Sequence, residues 1–169
     1  MDEIAALLEP QIPGLRRYAW ALLRDDEAAD DLVQDTLERA IGRWSQRRRD
    51  GDLKAWLFAI QRNLFLNQMR QRRSRGVQVG EEALELVPTS DGNPEGLAGA
   101  RDILAGLESL PEEQRSVLLL VGVEDLSYEQ AAEVLGLPVG TVMSRLSRAR
   151  GKLRHFMEAG RSAVLRRVK

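Results

Sequence analysis

No cysteine occurs anywhere in the chain, and its only histidine is His155. Thiol chemistry is therefore excluded, and with it the metal sites and nucleophile-base pairs that need thiolates or several imidazoles. His155 itself reads as a surface residue of a helix. Aromatic residues make up only 5% of the sequence, which is ordinary for a soluble helical protein. No apolar run approaches the roughly 20 residues of a membrane span, and the acidic start Met1-Asp2-Glu3 is the opposite of a signal peptide. A cytoplasmic protein with no direct membrane insertion is expected. The glycine-rich dinucleotide fingerprint is missing too, and Gly136 to Thr141 lacks the lysine and the preceding strand of a P-loop. No cofactor, metal, catalytic group or small-molecule substrate is expected, so the chain does not read as an enzyme.

What the sequence does have is charge, sorted along its length. The formal net charge of −1 conceals ten basic residues against two acidic ones over 43–75, and nine against one over 141–169. Residues 1–42 carry ten acids against four bases, 101–140 eight against two, and 76–100 five acids and no base. The basic blocks are candidate nucleic-acid surfaces, and the acidic ones suit a basic partner or internal screening.

The second basic block follows a stretch with the marks of two helices joined by a tight turn. Ser127 with Gln130 forms a capping box, Leu126 and Ala131 stand at staple positions, and Gly136 follows the last apolar residue as a left-handed cap would. Pro138 fits the first turn of the next helix, and Ala131, Ala132 and Gly140 are small enough for close approach. In that helix Val142, Leu146, Ala149 and Leu153 recur at spacings of four, three and four, which places them on one buried face. Ser144, Ser147 and Arg148 point the other way, with Thr141, Arg145 and Lys152 on one shoulder and Arg150 and Arg154 on the other. Small hydroxyls among arginines suit a helix in a major groove, where arginine reads guanine edges and the shoulders hold phosphates. An ordinary solvated helix is the alternative.

The first half is helical as well. Ile12, Leu15, Tyr18, Ala19, Leu22 and Leu23 define a helix that ends at Arg24-Asp25-Asp26. Asp25 or Asp26 caps a second, with Ala29, Leu32, Val33, Leu37, Ala40 and Trp44 inward and Glu27, Asp31, Gln34, Asp35 and Glu38 outward. That acidic stripe reads as a solvated face, a partner surface or a carboxylate metal site. Arg47-Arg48-Arg49-Asp50-Gly51 interrupts the pattern, and Asp52 caps a third helix to about Arg73. Its main buried face is expected to be Leu53, Trp56, Leu57, Ile60 and Leu64. Phe58, Phe65 and Met69, with Arg62 among them, form a second apolar line that is packed or offered to a ligand. Arg70, Arg72, Arg73 and Arg75 lack an acidic counterweight and seek phosphate or solvent.

Glycine, proline and acid fill 76–100 without periodicity, which predicts a flexible acidic linker. A short helix is expected from Arg101, and Leu110-Pro111-Glu112-Glu113 opens another. The expected fold is all-α: a bundle over 1–75, a linker over 76–100, and a second bundle over 101–169 with the helix-turn-helix.

Four runs in this order resemble the extracytoplasmic-function, or group IV, sigma factors of the sigma-70 family. They are Ala29-Asp30-Asp31-Leu32-Val33-Gln34-Asp35-Thr36, Trp56-Leu57-Phe58-Ala59-Ile60-Gln61-Arg62-Asn63, Leu110-Pro111-Glu112-Glu113-Gln114-Arg115, and Gly140-Thr141-Val142-Met143-Ser144-Arg145-Leu146-Ser147-Arg148-Ala149-Arg150. The resemblance implies that the first bundle docks on the clamp of core RNA polymerase and opens promoter DNA, while the second reads the minus-35 element. It implies polymerase contacts at Asp31, Leu32, Gln34, Asp35 and Glu38. Minus-10 contacts are implied at Arg47, Arg48, Arg49, Arg62, Asn63 and Arg70, and minus-35 contacts at Thr141, Ser144, Arg145, Arg148, Arg150 and Lys152. An anti-sigma factor is the implied regulator. The chain departs from the pattern at Met143, where many relatives have arginine, at Ser147, often aromatic, and at Asn67, often aspartate. Two other readings are a stand-alone repressor and an all-α metal-dependent phosphohydrolase built on Asp31, Asp35 and Glu38.

Overall fold

A computed structural model describes the backbone over 1–76 and 94–168, and side-chain surroundings over 1–76 and 101–160. Every regular element among the described residues is helical. By backbone contacts the chain divides into two units, Met1–Leu84 with Glu129–Leu137, and Glu85–Tyr128 with Pro138–Lys169.

In the first unit α1 (Asp2–Leu8) leads through a 3-10 turn at Glu9–Gln11 into α2 (Ile12–Leu23). The apolar spacing predicts no helix before residue 11, so α1 is an addition to the expected fold. Arg24 ends α2 in the left-handed region (φ 57°), with its N–H on the Trp20 carbonyl at 2.7 Å. That conformation costs a non-glycine residue on the order of 1–3 kcal/mol. The cap bond and the Arg24 guanidinium, 4.6 Å from the centre of the Trp20 ring, help to offset it. The chain then turns extended at Asp25, whose carboxylate accepts from the Ala28 N–H at 2.9 Å and starts α3 (Asp26–Gly42). Asp52 does the same for α4 (Leu53–Ser74), accepting from the Ala55 N–H at 2.7 Å. Each such cap is worth about 1 kcal/mol.

Helix α3 packs against both α2 and α4. The core is Leu15, Tyr18 and Ala19 of α2, Ala29, Leu32, Val33 and Ala40 of α3, and Ala55, Leu57, Phe58 and Phe65 of α4. The Tyr18 and Phe58 rings meet 5.5 Å apart at 58°. The buried Gln61 amide donates to the Leu15 carbonyl at 2.9 Å and so ties α4 to α2. This corrects the expected order of the two faces of α4. Phe58 and Phe65 lie on the deep one, whereas Leu53, Trp56, Ile60 and Leu64 are only half-buried.

The second unit contains α5 (Pro94–Ser109), α6 (Glu112–Leu118), a π-helical turn at Leu119–Val123, and α8 (Val139–Val168). Helix α5 starts inside the stretch read as linker. Pro94 stands in its first turn, where the missing N–H costs little. The flexibility expected of the linker falls on 77–93, outside the described residues. Helices α5 and α6 both pack on α8, around Leu107, Val117, Leu120, Val142, Leu146 and Ala149. Gly106 makes the α5 approach possible, since a Cβ there would lie 2.5 Å from Leu153 Cδ1. Arg115 closes the α5–α6 turn by donating to the carbonyls of Leu107 and Leu110, both at 3.1 Å.

Between these elements in sequence, α7 (Tyr128–Leu135) ends at Gly136 in the left-handed region (φ 65°). A Cβ there would meet nothing within 4 Å, so conformation and not space calls for glycine. The Leu137 N–H returns to the Ala132 carbonyl, as the sequence predicts of a left-handed cap. Pro138 lies one residue before α8 and not within it, and its carbonyl accepts from the N–H groups of Thr141 and Val142.

Candidate nucleic-acid interface

The five buried positions of α3, Ala29, Leu32, Val33, Thr36 and Ala40, turn a polar strip outward. Asp31, Gln34, Asp35 and Glu38 are all exposed, with Gln34 donating to Glu38 at 3.3 Å. Leu32 is different, because at 0% exposure it belongs wholly to the core and offers nothing to a partner. A shallow groove beside the strip is lined by Asp35, Glu38, Arg39, Gly42, Arg43 and Leu64, so its C-terminal end is mixed in charge. Among the described residues no group of three or more His, Cys, Asp or Glu side chains could hold a metal ion.

After α3, the 3-10 turn Trp44–Gln46 sets Trp44 edge-on to Trp56, 6.1 Å apart at 71°. Arg47 lies over the Trp44 ring at 4.9 Å, so its charge is partly taken up by an aromatic face. Arg48 and Arg49 project into solvent, the former 3.5 Å from Asp50. Asn63 and Arg70 are exposed on α4. Arg62 is not. It is 8% exposed and donates to the Tyr18 hydroxyl at 3.2 Å, which makes it a brace between α4 and α2 and corrects its assignment to DNA.

On α8 the buried face is Val142, Leu146 and Ala149, with Leu153 half-buried, as the spacing predicts. Ser144, Ser147, Arg148, Arg150 and Lys152 are exposed and Thr141 is half-buried. The Ser144 hydroxyl donates back to the Thr141 carbonyl at 3.1 Å, leaving its oxygen as an acceptor. Arg145 leans toward α6, 3.6 Å from Glu113, and only 25% of its side chain is exposed. The basic shoulder thus begins with a charge already engaged. Sequence reasoning missed two features here, the Glu113 partner and a groove at Tyr128 and Met143, because both depend on which turns of separate helices meet.

Residues 8–61 match the Sigma2 domain of PhyR, and residues 100–153 match Sigma-70, region 4. Over 142 residues the chain is 39% identical to ECF RNA polymerase sigma factor EcfG of Rhodopseudomonas palustris, covering 84% of this chain and 78% of that one. The chain belongs to the ECF RNA polymerase sigma factors. ECF RNA polymerase sigma factor SigC of Mycobacterium tuberculosis is 35% identical over 149 residues, with 86% and 80% covered. Among solved structures, the sigma factor RpoE in complex with the anti-sigma factor NepR from Bartonella quintana superimposes with a TM-score of 0.82 at 36% identity. That match covers 94% of this chain and 98% of that chain. CnrH in complex with the cytosolic domain of CnrY matches with a TM-score of 0.68 at 29% identity, covering 92% and 88%. No helix of the described residues is long and apolar enough to cross a membrane.

Proposed function

We propose that the chain binds core RNA polymerase and directs it to promoters, with contacts divided between its two sigma-like parts. The observation that carries this is the match of one chain to a sigma factor structure over 94% of its length, with an outward acidic strip on α3 and an outward basic face on α8. Asp31, Gln34, Asp35 and Glu38 engage a basic surface of the polymerase clamp. Arg47, Arg48, Arg49, Asn63 and Arg70 hold the minus-10 strand. Thr141, Ser144, Arg148, Arg150 and Lys152 meet the minus-35 duplex, where Arg145 must first exchange Glu113 for phosphate or base. Leu32 and Arg62 act by packing. No catalytic group is needed, since polymerase makes the RNA and the factor rewards unstacked bases and screens phosphates.

RpoE and CnrH were each solved with a protein bound, the first with the anti-sigma factor NepR. By the same reading this chain is held inactive by an anti-sigma factor that covers the surfaces polymerase needs. The test is reconstitution. Core polymerase with the purified chain should give discrete run-off transcripts from genomic DNA, and the co-purifying inhibitor should abolish them. Identical transcripts from core polymerase alone would refute the reading.

A further inference from the structure

One flank of α8 is not accounted for by its charges. Met143, within the first two turns, is 50% exposed, although its exposed neighbours are hydroxyls and arginines. It lines a groove of about 470 Å³ with Tyr128, Leu146, Ser147, Arg150 and Arg154. Packing does not explain a half-exposed thioether there, because Val142, Leu146 and Ala149 already fill the buried face. Arg150 and Arg154 stand one turn apart beside it, with no ion-pair partner among the described residues, and Glu158 is the only acid in α8. The groove therefore has an apolar centre and a cationic rim. A polyanion with an apolar feature on an otherwise polar edge fits it, and duplex DNA offers one such feature in its major groove, the thymine 5-methyl group.

We infer that Met143 reads a thymine methyl in the promoter element that α8 contacts, with Arg150 and Arg154 holding the adjoining backbone. This rests on the reading of α8 as the duplex-contacting helix. An arginine at this position would present donors to guanine, whereas methionine offers only dispersion and excludes water, so preference moves from G·C toward T·A. The N-terminal turns of a recognition helix are the ones that approach base edges, which is where Met143 lies.

The test uses holoenzyme assembled from the full chain and core polymerase. Duplexes with a randomised minus-35 element are selected for open-complex formation, and each thymine of the enriched element is then replaced singly by deoxyuridine, which removes only the methyl. The wild type should lose about fourfold in complex formation at one position, the equivalent of about 0.8 kcal/mol for a methyl group. Met143→Ala should be insensitive to that replacement, and Met143→Leu should keep part of the sensitivity. Both variants alter a half-exposed side chain, and retention of the Arg148-dependent preference shows that they fold. An enriched element with no methyl-sensitive thymine, or sensitivity that persists in Met143→Ala, overturns the inference while leaving α8 as the reading helix. No enriched element at all overturns both.

Discussion

Helices α4 and α8 carry similar sequence signals, a buried apolar face and several arginines, yet they use their charge in opposite ways. Arg62 of α4 is drawn into the core against Tyr18, and nearby Arg47 lies on Trp44. Among the described basic residues of α8, Arg145 has an ion-pair partner, while Arg148, Arg150 and Lys152 stand in solvent. Equal net charges in 43–75 and 141–169 therefore conceal unequal supplies of charge for a polyanion. A guanidinium counts toward binding only when packing leaves it outside, and the first unit spends part of its basic block on holding itself together.

The largest expected effect comes from the acidic strip that the basic blocks oppose. Asp31→Arg with Asp35→Arg reverses two exposed charges with no packing role, so core polymerase binding should fall by several kcal/mol while thermal unfolding stays unchanged. Co-purification of core enzyme at the wild-type level would remove the strip from the interface. The next two effects break the comparison of α4 with α8 directly. Arg62→Ala should destabilise the protein by about 1–3 kcal/mol, because the buried Tyr18 hydroxyl loses its donor, and should leave base preference alone. Arg148→Ala should do the reverse, costing about 1–3 kcal/mol of discrimination at one or two minus-35 positions with an unchanged melting curve. Lys152→Ala should weaken all promoters alike and lower the salt slope by roughly one ion. If Arg62→Ala altered promoter choice without loss of stability, the contrast between the helices would be wrong. Smallest of all, Glu113→Gln should change stability by less than about 1 kcal/mol, because the pair is long at 3.6 Å and its carboxylate is exposed, measured by urea denaturation.

Local grammar made much of this legible. Asp52 stood out as a cap, Asp25 or Asp26 as another, Gly136 as a left-handed terminator, and the four-three-four spacing of Val142, Leu146, Ala149 and Leu153 as a buried face. These signals act within a few residues, and the backbone obeys them. Helix α4 was harder, because its N-terminal half, Leu53 to Ile60, is apolar nearly all round. Periodicity names its faces but cannot rank them, and the ranking came from packing against two neighbours at once. The same limit hid the burial of Arg62, whose partner lies 44 positions away. The start of α5 was masked by Gly96 and Gly99, each costing a helix about 1 kcal/mol, so propensity argued against the conformation that occurs. Helix α1 is seven residues long with no side-chain cap, too short for a periodic pattern to declare itself.

In the proposed function, α8 reads promoter DNA as part of a holoenzyme and not by itself. One recognition helix in a small module has no second half-site to add affinity. The direct test is the binding of a selected promoter duplex, in moderate salt, with and without core polymerase. The free chain should bind weakly with little sequence preference, and tight promoter-specific complexes should form once core enzyme is added. Nanomolar, sequence-specific binding by the chain alone would contradict this and favour a stand-alone regulator.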